Sequence, residues 1–215
     1  LVAFLVLLGR QNRYLSTQKS GHDEQRPSSR HSEERATVSM WTLLKKLHWI
    51  AGAIFICFAV TMFYPVYTQQ IHSVRPESSS PPLFKPASFI PLAFLFWNLG
   101  DLTGRLLTLV PHLSFTHYPK TVFVFSIVRV VFIPLYLLCN RSGDRGAIIN
   151  SDAFYLFIVQ LGFGITNGWL GSSCMMATAH YVDEAEREAA GGFMGLSLVA
   201  GLSTGSLLSF LPAKL

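Results

Sequence analysis

The run Trp97-Asn98-Leu99-Gly100-Asp101-Leu102-Thr103-Gly104-Arg105 places an acid and a base four residues apart inside an apolar stretch. In a helix that spacing puts both on one face, one turn from each other. There they can pair, or together grip a polar solute, because charged, forked donors suit sugar hydroxyls, ring nitrogens or a further acid. A second arginine, Arg129, lies in the next apolar run. If the two runs form an antiparallel hairpin turning near Ser114, positions 101 and 128 fall at about the same depth, and Asp101 can choose between two arginines. Charged groups inside a membrane helix cost on the order of 2.5–3.5 kcal/mol each by insertion scales, a cost that marks a partner or a pathway. On these residues alone two readings stand side by side: a buried ion pair that fixes helix register, and a polar ligand site.

The elements that must hold these groups follow from composition. Half of the 215 residues are hydrophobic and only 13% are charged, against about a quarter in a soluble domain. A bilayer core about 30 Å thick needs roughly 20 mostly apolar residues in helix, since no water is there to satisfy unpaired backbone groups. Five segments meet that need, at 43–67, 87–110, 121–139, 153–178 and 189–211. Residues 1–9 are expected to be the end of a truncated sixth. The expected fold is therefore all-α, a polytopic transmembrane helix bundle spanning 43–211, with a short tail at 212–215. Cys57, Cys139 and Cys174 all sit in apolar runs, where a thiol is more often a packing residue than a ligand. No metal site, cofactor or redox chemistry is expected. The spans present no Ser-Lys dyad, paired Asp motif or His-Glu-x-x-His pattern, so no enzyme machinery is visible.

The net charge of +5 could suggest a nucleic-acid partner, but the placement of the cations argues against it. Arg10, Arg13, Lys19, Arg26, Arg30, Arg35, Lys45 and Lys46 make up nearly half of the 17 lysines and arginines. The connector at 10–42 that holds most of them has too few apolar residues to offset its ordering entropy, and is expected to be a disordered loop. Its charge puts it in the cytoplasm by the positive-inside tendency, and five spans then carry the C-terminus to the outside or to a lumen. Asn140-Arg141-Ser142 is formally a glycosylation sequon, but it abuts the bilayer and is expected to be unmodified. The prolines and serines at 75–86 fit an irregular hairpin between spans.

Glu186 and Glu188 open the last span, where acids complement the helix dipole and can also act as cytoplasmic counter-ions. Three pairs, Gly164-xxx-Gly168, Gly191-xxx-Gly195 and Gly201-xxx-Gly205, let helix backbones approach closely, and packing is their simplest use. Pro65 and Pro134 lie within spans, where each frees a carbonyl and bends its helix.

Four stretches together resemble the equilibrative nucleoside transporter family. Phe89-Ile90-Pro91 running into Asn98-x-x-Asp101-x-x-Gly104-Arg105-x-x-Thr108 is similar to the family's eighth-helix signature. Arg129-Val130-Val131-Phe132-Ile133-Pro134-Leu135, ending Leu138-Cys139-Asn140, resembles the ninth helix. Thr166-Asn167-Gly168-Trp169-Leu170-Gly171-Ser172 resembles the tenth, and Glu186 to Met194 with Gly201-Leu202-Ser203-Thr204-Gly205 the eleventh. The resemblance covers 41–211 and implies helices seven to eleven of eleven, a C-terminal half of major-facilitator-like architecture. It implies facilitative transport of nucleosides or nucleobases by alternating access, with no enzymatic step, in the plasma membrane or a vacuolar membrane. The implied partners are a nucleoside, the lipid bilayer and an N-terminal half of the same protein. Asp101, Arg105 and Asn98 would bind substrate, with Trp97 and Tyr64, alongside Phe94, as stacking surfaces. Arg129, Asn167, Glu186 and Glu188 would be gating or structural polar groups. Departures from the family pattern are Trp97 and Tyr64, where phenylalanine is common, and Gly171, where alanine is common. A major-facilitator-type permease for another small polar solute, or a non-transporting membrane protein, are the alternatives.

Overall fold

The computed structural model describes residues 39–75, 81–110, 113, 115–140 and 148–210. The expected helix stub at 1–9, all of the expected loop before residue 39, the tail at 212–215, and Arg141 and Ser142 of the sequon lie outside the described residues. All described residues belong to one compact unit, 36–215.

That unit is a stack of helical rods. The first is α1 (Met40–Thr61), continued after a turn at Met62 by α2 (Phe63–Thr68). Pro65 has no N–H to offer the Thr61 carbonyl one turn earlier, so the rod breaks there. A 3-10 turn at Pro82–Phe84 leads into α3 (Pro86–Leu107), which carries one proline at the first position, where an N–H would be unpaired anyway, and a second, Pro91, inside the helix. α4 (Pro119–Val128) begins the same way and passes through a 3-10 turn, Arg129–Val131, into α5 (Phe132–Leu137). Pro134 strips the Val130 carbonyl of its donor, which accounts for the tightened turn at Arg129. A π-helical stretch, Phe154–Leu161, runs straight into α6 (Gly162–Thr178). The chain then turns through Glu184–Glu186 into α7 (Arg187–Ser209).

Three rods, Met40–Thr68, Pro119–Leu137 and Glu184–Ser209, are long and apolar enough to cross a membrane. The helices coincide with the five apolar runs of the sequence, and the first starts at Met40, slightly earlier than the run that implied it. α3 falls outside the three because Asn98, Asp101, Thr103 and Arg105 dilute its apolar character.

Packing departs from the expected hairpin. α3 packs on α6 and on the π-helical stretch, while α4 packs on α1. The reason is steric. Gly100 and Gly104 of α3 face Gly164 and Gly168 of α6 so closely that a Cβ on any of them would run into backbone of the opposite helix. α1 and α7 make a second such seam, with Gly201 and Gly205 against the backbone at Phe55 and Ala59. Gly191 and Gly195, expected to pack, face no neighbouring atom within 4 Å among the described residues.

Two cores result. Leu43, Leu47, Ile50 and Ile54 of α1 meet Leu170 and Cys174 of α6 and Met194 of α7 in an aliphatic end. Tyr64, Tyr67, Phe89, Tyr136, Tyr155 and Phe163 form an aromatic end. All three cysteines are free and buried, as packing residues should be.

The aromatic end is tied across its loops by Asp152. Its carboxylate accepts from the Ser73 hydroxyl at 2.8 Å and the Val74 N–H at 2.9 Å, and pairs with Arg75 at 3.5 Å. Asn140 donates its side-chain amide to the carbonyls of His72 and Ser73, both at 3.2 Å. That nitrogen is therefore already engaged in the fold.

Candidate functional site

Between the two cores runs a chain of polar side chains. At its open end Arg105 Nε donates to Asp101 Oδ2 at 2.7 Å, the one-turn pairing that the spacing implies. Asn167 of α6 donates its Nδ2 to Asp101 Oδ1, also at 2.7 Å. The amide's orientation follows from its partners, since an ionised carboxylate only accepts. Its Oδ1 then accepts from the Thr61 hydroxyl of α1 at 2.7 Å, with the Cys57 thiol 3.8 Å away.

At the sealed end lies Arg129, only 2% exposed. Its Nη1 donates to the Cys57 carbonyl and Sγ, each at 2.8 Å, and to Thr61 Oγ1 at 3.2 Å. Its Nε donates to Thr166 Oγ1 at 3.2 Å and its Nη2 to the Phe163 carbonyl at 3.4 Å. The guanidinium carbon stands 4.1 Å from the centroid of the Phe163 ring. Among the described residues no carboxylate pairs with Arg129.

The expectation that Asp101 chooses between two arginines therefore needs correcting. The glycine seam brings α6, not α4, against α3, and Asn167 and Thr61 come between Asp101 and Arg129. Arg129 is held by neutral acceptors of two neighbouring rods, α1 and α6, which ties both to its own.

The remaining candidates separate by exposure. The Asp101 side chain is 15% exposed and that of Arg105 54%. Asn98 is exposed and donates to the Phe94 carbonyl at 2.7 Å. Tyr64 is buried; its ring stacks on Trp97 at 4.8 Å and meets Phe94 edge-on at 5.2 Å. The Trp97 indole N–H is buried with no hydrogen-bond partner among the described residues. Glu186 forms a capping box with Asp183, accepting from its N–H at 3.3 Å, and also pairs with Lys46 of α1 at 2.7 Å. Glu186 thus engages both the turn before α7 and a lysine of α1. Glu188 lies exposed in the first turn of α7.

Several residues of the network escaped the sequence reading. Thr61 and Thr68 fall at helical spacing with Cys57 and Tyr64, two residues already singled out, along one face of the first rod, a polar stripe visible in the sequence. Gln160 is an amide in an otherwise apolar run, and it is fully buried. Its Nε2 donates to Thr68 Oγ1 at 3.1 Å and to the Tyr155 oxygen, while Tyr136 donates to its Oε1 at 3.3 Å. Gly100-xxx-Gly104 has the same spacing as the glycine pair it packs against.

Apolar rods threaded by a satisfied polar seam, with one charged pair left half open, define a polytopic integral membrane protein. The family model described as Nucleoside transporter matches residues 9–213, and the chain belongs to that family. It is 34% identical over 188 residues to the yeast (Saccharomyces cerevisiae) Nucleoside transporter FUN26, covering 83% of this chain and 35% of the yeast protein. To human Equilibrative nucleoside transporter 1 it is 33% identical over 180 residues, 80% of this chain and 38% of the human protein. To human Equilibrative nucleoside transporter 2 it is 29% identical over 197 residues, 87% and 41% respectively. The chain thus spans between a third and about two-fifths of the length of these relatives.

Proposed function

We propose that this chain is the C-terminal part of a facilitative carrier that moves nucleosides or nucleobases across a membrane by alternating access, with Asp101 and Arg105 gripping the solute. The observation that carries this reading is the asymmetry of the pair. Asp101 is anchored from behind by Asn167, whereas among the described residues Arg105 engages only its Nε and leaves its terminal amines open on a membrane helix. A guanidinium facing acyl chains is costly. Its position is consistent with a water-filled hollow that the rest of a longer protein completes.

In that hollow the Asp101 carboxylate, whose oxygens retain free lone pairs, accepts from sugar hydroxyls. Arg105 donates to hydroxyls or ring acceptors, and Asn98, one turn before Asp101 on the same edge of α3, adds a further polar contact. The orphaned Trp97 N–H is a donor waiting for an acceptor, and buried polar groups seldom lack one. Tyr64 acts behind Trp97, stacked on it, and not as an open platform. Arg129 and Asn167 hold the rods that carry the site. The basic segment before α1 faces the cytoplasm, the C-terminus faces outside or a lumen, and the membrane is the plasma or vacuolar membrane.

The test is uptake of labelled uridine and adenosine by the protein expressed from its complete reading frame in transporter-deficient cells. Asp101→Asn and Arg105→Ala should each abolish saturable uptake while membrane levels stay at wild type. Undiminished uptake by either variant would remove that residue from the site, and absence of nucleoside uptake by the wild type would overturn the carrier reading.

A further inference from the structure

At the end of the bundle where α1 and α4 begin, two lysines and two tryptophans share a surface that the polar network does not touch. Trp41, Lys45 and Trp49 are spaced four residues apart on α1 and so share one face. Lys45 Nζ stands 5.9 Å from the Trp41 ring centroid. Lys120, in the first turn of α4, reaches across so that its Nζ stands 5.9 Å from the Trp49 ring. Trp49 in turn rests edge-on against Phe123 of α4, with ring centroids 5.3 Å apart.

The charge on this surface is one-sided. Lys46, the next residue along, points away and is held by Asp183 and Glu186. Lys45 and Lys120 are exposed, and among the described residues no carboxylate pairs with either. Trp41 is 64% exposed and Trp49 37%. Leu44 of α1 and Val124 of α4, close by in sequence, are exposed apolar residues.

We propose that Trp41, Lys45, Trp49 and Lys120 form a docking site for the headgroup of an anionic phospholipid, whose acyl chain lies along Trp49 and Val124. Tryptophan rings sit preferentially at the depth of lipid headgroups, where one side is wet and the other apolar. A lysine over an aromatic face stays charged and keeps donors free for a phosphate oxygen. Among the described residues both lysines and both tryptophans stand at the surface, so a soluble anion would gain little there, while a lipid gains both the charge contacts and the neighbouring apolar surface. Two cations without a counter-ion favour a net negative headgroup over a zwitterionic one.

The protein expressed from its complete reading frame and reconstituted in phosphatidylcholine bilayers supplies the test. A minor fraction of the lipid is replaced by phosphatidylserine or phosphatidylcholine carrying brominated chains, and quenching of tryptophan fluorescence is read. Brominated phosphatidylserine should quench more than brominated phosphatidylcholine at equal content, and Trp41→Phe/Trp49→Phe should remove the excess. Lys45→Gln/Lys120→Gln should reduce the serine-lipid preference on the order of fivefold per lysine. Excess inorganic phosphate should leave quenching unchanged. Equal quenching by the two lipids, or an undiminished preference in the lysine variant, would overturn the proposal. Competition by inorganic phosphate would replace the lipid with a soluble anion. None of these readings depends on transport, so they stand or fall apart from the carrier assignment.

Discussion

Arg129 and Arg105 both interrupt apolar helices, and the bundle treats them differently. Arg129 is sealed, with its donors shared among Cys57, Thr61, Thr166 and Phe163 on neighbouring rods. Arg105 leaves more than half its side chain open and, among the described residues, engages a single atom, on a carboxylate of its own helix. A cation on an apolar helix is thus held in two ways: saturated with neutral acceptors, which ties helices together, or left half open beside a single carboxylate. The first is architecture. The second is the opening on which the proposed binding role rests.

That contrast can be tested on one scale, the thermal stability of the detergent-solubilised protein. Gly168→Leu should have the largest effect, roughly 3 kcal/mol or more, because the new side chain meets the Asp101 backbone and forces α3 off α6. Loss of a monodisperse peak in size-exclusion chromatography would register it. A variant that stays monodisperse with unchanged melting would show that the seam is looser than described. Arg129→Ala should come next, at about 2 kcal/mol, since it removes the charged hydrogen bonds that join its rod to α1 and α6. If it melts like wild type, the helix-tie role is lost. Asn167→Leu removes one interhelical amide, worth about 1 kcal/mol in a membrane protein. It should also depress nucleoside uptake by releasing Asp101, and unaltered uptake would show that Asp101 needs no anchor. Arg105→Ala should barely move the melting curve, by less than about 0.5 kcal/mol, as expected for an exposed pair. A destabilisation as large as that of Arg129→Ala would erase the distinction between the two arginines.

The helices were legible in the sequence because each apolar run is long and bounded by basic, proline-rich or polar segments. The Asp101–Arg105 pair was legible for a local reason: residues four apart on a helix meet whatever surrounds them. What could not be read was which rod lies against which. Assuming that consecutive runs pair put Arg129 beside Asp101, whereas Gly100 and Gly104 choose Gly164 and Gly168 across a gap of some sixty residues. Once α6 is the neighbour, Asn167 becomes the partner of Asp101, and Thr61 becomes the link back to Arg129. The π-helical stretch and the burial of Gln160 were equally hidden, because nothing in Phe154-Tyr155-Leu156-Phe157-Ile158-Val159-Gln160-Leu161 marks a widened turn.

The seam between α3 and α6 also limits how this chain can change over time. When a side chain collides with another side chain, a smaller neighbour can restore the fit. Here each missing Cβ would strike peptide carbonyls and nitrogens of the facing rod, and main chain has nothing to trim. Positions 100, 104, 164 and 168 are therefore closed to compensated drift: no second-site change on the opposite helix can rescue a bulkier residue at any of them.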